Sequence, residues 1–160
     1  MKYPGDPRSW HKCKGWEDQL ERAERWHDRA MKAIEAGFSA GISLEGWDDI
    51  YAFFINAYHV GDWMIADGFI EESHWDSYVK STPDLALCRD FCNGVKHRQL
   101  RKYSDDDRSL WTCREFVPPN GERWSVRVEP ERSFWLLDEV VDRVVQHLHD
   151  LRDGRARLAR

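Results

Sequence analysis

Residues 47–66, WDDIYAFFINAYHVGDWMIA, are apolar around most of a helical circumference, and on that reading the fold turns. A helix that is hydrophobic all round sits among other elements instead of lying on a surface. The rest of the chain must therefore supply the elements that enclose it. Upstream, residues 16–36 place Leu20, Ala23, Trp26 or His27, Ala30, Met31 and Ile34 near helical spacing with charges elsewhere, and Gly37 is a natural stop. Downstream, residues 73–80 form a short helix before Pro83, and Asp84 is a candidate N-cap for a helix reaching about Tyr103. That segment carries Leu85, Leu87, Cys88, Phe91, Cys92, Val95 and Leu100. The last helix, residues 134–152, sets Leu137, Val141, Val144, Leu148 and Leu151 at an alternating four-then-three spacing, an amphipathic stripe.

Between these helices the period changes from helical to alternating. In LWTCREFVPPNGERWSVRVEP, residues 110–130, Asn120-Gly121 is a strong hairpin signal, and Trp124, Val126 and Val128 alternate with Ser125, Arg127 and Glu129. With Asn120-Gly121 as the turn, Val117 faces Trp124 and Cys113 faces Val128. The expectation is a mainly α chain, a four-helix bundle with a β-hairpin at about 110–129 inserted before the last helix. Residues 1–15, with two prolines and two glycines among charges, are expected as an irregular arm. Residues 16–152 make one domain and 153–160 a basic tail.

A length of 160 residues with 41% hydrophobic content suits one domain with a real core, and nine tryptophans make that core aromatic. The formal charge of −5 argues against a general polyanion binder, while leaving room for a local basic patch. Cys13, Cys88, Cys92 and Cys113 form no Cys-x-x-Cys pair and are expected as reduced, mostly buried thiols. The opening residues hold no apolar signal region, and no window reaches the roughly 18 apolar residues of a membrane span. A cytoplasmic protein without membrane contact is expected.

Chemistry is concentrated in two helices. In the central one Asn56, His59 and Asp62 recur near one helical face, where they are expected to look inward. A buried carboxylate needs a partner, so Asp62 is expected to contact His97, Lys96 or Arg89 of the next long helix. There Arg89, Asn93 and His97 step by four, drifting only ~40° per step, and Lys96, Arg98, Arg101 and Lys102 surround His97 with positive charge. Cations disfavour a protonated imidazole and attract phosphate, a combination suited to a neutral general base at a phosphodiester.

The pair FFINAYHVGDW (residues 53–63) and LCRDFCNGVKHRQL (residues 87–100) resembles a set of bacterial and phage helical proteins with Tyr-His-x-x-Asp-Trp and Cys-Asn-x-x-Lys-His elements, which are similar to the HEPN class of helical bundles. That resemblance implies a dimeric, metal-independent ribonuclease of toxin–antitoxin or phage-defence type, with an antitoxin-like protein partner. It also implies His97 as base, Asn93 as its polar partner at the phosphate, Lys96 and Arg98 as charge-offsetting groups, and His59 or Asp62 as the group orienting the histidine. The family places an arginine a few residues ahead of its histidine. Here Arg89 is separated from His97 by seven residues, and Arg98 follows the histidine instead.

The competing reading is a non-catalytic helical module, binding a protein partner, in which His59 and Asp62 are a hydrogen-bonded pair fixing helix register. A metal set of His59, Asp62 and His97 joined by Cys88 or Cys92 is weaker, because no His-Glu-x-x-His element is present. No metal or cofactor is expected. His147 and His149, two apart on a helix, cannot share a face and are read as surface residues.

Overall fold

The structure is a computed structural model and describes residues 15–96, 125–128 and 133–156. The chain is mainly α: helices α1 (Trp16–Ala40), α2 (Leu44–Ala66), α3 (Glu72–Ser81), α4 (Pro83–Lys96) and α5 (Leu137–Arg152), with strands β1 (Ser125–Val128) and β2 (Ser133–Leu136) ahead of α5. The central position expected of α2 holds. It packs on α1, α3, α4 and α5, and Ile50, Phe53, Phe54, Ala57, Val60 and Met64 are fully enclosed. Phe54 stacks on Phe91 of α4 at 4.4 Å between ring centroids, with the planes 4° apart. From α1, Leu20, Ala23, Ala30 and Ile34 close one side of this core, and Leu137, Val140, Val141, Val144 and Leu148 of α5 close another.

Helix ends depart from expectation in instructive ways. Gly37 does not stop α1; it is buried within the helix, which ends one turn later at Gly41 (φ 90°), whose N–H donates to the Gly37 carbonyl. Packing outweighs the intrinsic cost of an interior glycine, about 1 kcal/mol. α2 starts at Leu44 because the Ser43 hydroxyl accepts the Gly46 N–H at 3.0 Å. Asp84 is not an N-cap: Pro83 opens α4, and the Asp84 side chain is spent on α5, as described below.

The strand expected at 124–128 is present as β1, and its described partner is β2, antiparallel, with Val126 opposite Trp135 and Ser125 opposite Leu136. Residues 134–136 were expected inside the last helix. They are extended instead, in keeping with the strand preference of Phe134 and Trp135, and α5 begins only where Asp138 and Glu139 can occupy its first turn. The Asn120-Gly121 turn, the arm of residues 1–14, the continuation of α4 toward Tyr103 and residues 157–160 lie outside the described residues. No helix among the described residues is long and apolar enough to cross a membrane.

Candidate functional site

The site begins where α2, α3 and α4 meet. Gly61 of α2 has no side chain, and the Trp75 ring of α3 fills the place: a Cβ on Gly61 would stand 2.1 Å from the indole. Tyr58, one turn earlier, packs on the same indole at 5.7 Å between centroids. Burial and, next, the Asp62 carboxylate push the Tyr58 phenol pKa far upward against the opposing pull of Arg89 from α4. Tyr58 therefore stays protonated, its phenol under the opposed influence of a carboxylate of α2 and a guanidinium of α4.

His59 and Asp62 meet, with Nδ1 2.7 Å from Oδ2. They do not look inward as expected: their side chains are 28% and 47% exposed, on the rim of α2 and not in its core. An i, i+3 spacing brings the two side chains together on one helix. Asp62's bond is to His59 and not to Arg89, whose Nε donates to Asp90 at 2.9 Å. Asn56 belongs to another seam, since Gln19 of α1 donates to its carbonyl at 2.9 Å. With the carboxylate against Nδ1, the imidazole has its ring orientation fixed and its basic lone pair assigned to Nε2. Asn93 is half-buried on α4. The side chain of Lys96, together with His97 and Arg98, lies outside the described residues.

A second polar cluster, which sequence reasoning missed, joins α3, α4 and α5. Asp84, its side chain 8% exposed, accepts from Arg143 Nε at 3.0 Å and has His147 Nε2 at 3.5 Å. Arg143 reaches Glu139 one turn back at 3.0 Å, and Tyr78 Oη stands 3.3 Å from His147 Nδ1. Burial alone would raise the Asp84 pKa, but His147 and Arg143 outweigh it and hold the carboxyl below its ordinary value. Tyr78 is pushed up to about 12, by burial first and then by Asp150. No single stretch of sequence carries this cluster, because its members lie on three separate helices.

Two more imidazoles cross between α1 and α5, His27 to Asp142 and His149 to Glu24, each at 2.7 Å. His147 and His149 are thus half-buried and paired, not free surface residues. They diverge on α5 as expected, but each finds a carboxylate on a different neighbouring helix and is 27% exposed. Asp67, at the end of α2, accepts the Trp16 N–H at 2.7 Å and supplies α1 with the N-terminal carboxylate that Gly15 cannot.

Among the described residues no cluster of three His, Cys, Asp or Glu side chains is placed to hold a metal ion. Cys88 donates to the Phe54 carbonyl at 3.3 Å, and burial pushes its thiol pKa well up, so it is an inert core residue. No family model, curated protein or solved structure matches the chain.

Proposed function

We propose that the chain is a HEPN-like, metal-independent endoribonuclease of the toxin or phage-defence kind. The observation that carries the reading is the His59–Asp62 pair, a carboxylate-braced imidazole on an accessible rim of α2, bordering a Tyr58 hydroxyl that also feels Arg89 of α4. That same α4 carries Asn93 and Lys96, and the sequence runs on from it into His97 and Arg98. In this reading His97 takes the proton of a ribose 2′-OH, the oxygen attacks the adjacent phosphorus, and the bond to the 5′-oxygen breaks; the departing oxygen takes a proton from water, giving a cyclic phosphate and a free hydroxyl. Asn93 holds the phosphate, Lys96 and Arg98 offset its charge, and His59 with Asp62 orients the base. A homodimer, an antitoxin-like protein partner and a cytoplasmic setting belong to the same proposal.

A second reading has its own support. Elsewhere in this molecule histidine–carboxylate contacts knit helices together, as His27–Asp142 and His149–Glu24 do. By that precedent the His59–Asp62 pair belongs to a non-catalytic helical module that binds a protein. Incubating a mixed RNA pool with the protein in chelator, wild type beside an equally folded His97→Ala, separates the two. Cleavage lost in the variant supports the ribonuclease; no cleavage by the wild type favours the module.

A further inference from the structure

Away from α2's rim, a cleft of about 370 Å³ opens between the turn after α2 and the end of α5, lined by Phe69, Ile70, Glu71, His74, Leu151 and Arg152 among others. Its volume falls in the range of small-molecule sites, about 300–1,000 Å³. Three features give it a chemistry. Phe69 is 44% exposed, with its ring against Trp16 at 4.5 Å between centroids, so a rigid aromatic platform is held open on one side. His74 Nε2 is enclosed without any hydrogen-bond partner, a state that costs about 1–3 kcal/mol and that a bound donor would relieve after a small turn of the ring. Glu71, the one carboxylate among the lining residues, is exposed on the rim at the start of α3, and the last turn of α2 carries no basic residue. The last turn of α5 carries His149 and Arg152, and His149 is paired with Glu24. Arg152 is already engaged, its Nε donating to Asp153 at 2.7 Å.

We propose that this cleft binds a small amine with an apolar or aromatic body, its ring on Phe69 and its ammonium shared between Glu71 and His74. An apolar ring stacked on Phe69 and an ammonium held against a carboxylate at the rim are mutually reinforcing. The site is independent of the ribonuclease reading.

Phenethylamine, phenethyl alcohol and phenylacetate, similar bodies with cationic, neutral and anionic heads, are titrated into the full chain by calorimetry and by NMR of the His74 ring. The expected result is one saturable site that takes the amine about fivefold more tightly than the alcohol and takes the acid most weakly. Glu71→Gln, at an exposed position that leaves the fold intact, removes the preference for the amine, and Phe69→Ala weakens all three. No saturable binding of any probe, equal binding of amine and alcohol, tighter binding of the acid, or an undiminished preference in Glu71→Gln overturns the proposal.

Discussion

The imidazoles of α5 and the imidazole of α2 use one kind of bond in two ways. His149 and His147 reach carboxylates on other helices, Glu24 of α1 and Asp84 of α4, and the α1 residue His27 reaches back to Asp142. Those contacts bridge elements far apart in sequence and tie α5 to the bundle. His59 reaches a carboxylate three residues along its own helix, at the same 2.7 Å as the α1–α5 pairs. That bond sets the direction of a ring instead of joining two helices. Bond length is thus no guide to role; the element on which each partner sits is.

Five substitutions, two of them combined in one cycle, sharpen or break this contrast. The largest effect is expected where the candidate site rests on packing alone: Gly61→Ala drives a methyl into the Trp75 ring and should destabilise the chain by about 1–3 kcal/mol or more in denaturant unfolding. A wild-type midpoint for this variant would show that the α2–α3 contact yields freely and is no foundation for a site. Next comes Asp84→Asn, which strands Arg143 and His147. A loss of about 1.5 kcal/mol is expected, at the low end for charged hydrogen bonds because Arg143 is 41% exposed.

The same residue fixes a pH dependence. Asp84 has a folded pKa below its unfolded one, so its stabilisation is complete above the ordinary carboxylate range near ~3.9 and is lost as pH falls through the lower folded value. Unfolding measured against pH should show the gap between wild type and Asp84→Asn constant near neutrality and closing below about pH 4. A gap that persists into strong acid would mean that the charge of Asp84 does not tie α4 to α5.

A double-mutant cycle on Glu24→Gln and His149→Gln should return a coupling of about 0.5 kcal/mol, reduced by salt, since the side chains are 40% and 27% exposed. Zero coupling would remove the α1–α5 pairs from the helix-joining class. The smallest stability effect, under about 0.5 kcal/mol, is expected for Asp62→Asn, whose side chain is 47% exposed and bonds a histidine of its own helix.

Much of the architecture was legible because it follows from periodicity. The all-round apolar α2 and the four-then-three stripe of α5 each admit few placements, and both lie in the core as that pattern requires. Where reading failed, a tertiary contact decided the outcome. Gly37 has the look of a helix stop but is buried inside α1, Asp84 has the look of a cap but pairs with α5, and residues 134–136 run on from the apolar pattern of α5 yet pair with β1. The candidate site was half legible. Helical spacing gave the contact of His59 with Asp62, but the side of α2 that faces outward depends on what α1 and α3 cover, and Gln19 and Trp75 are distant in sequence. The Asp84 cluster was invisible for the same reason.

The most direct test of the contrast measures two quantities on two variants, Asp62→Asn and Asp84→Asn: unfolding free energy, and cleavage of an RNA pool in chelator beside the wild type. With Asp62 as a brace for catalysis and Asp84 as a helix tie, Asp62→Asn should keep its stability and lose about tenfold in cleavage rate, less than the roughly 10²-fold or more that a general base itself supplies, because Asp62 only orients it. Asp84→Asn should lose stability and, where it remains folded, keep its rate. An Asp62→Asn protein that cleaves like the wild type, or that is destabilised as much as Asp84→Asn, would contradict the account.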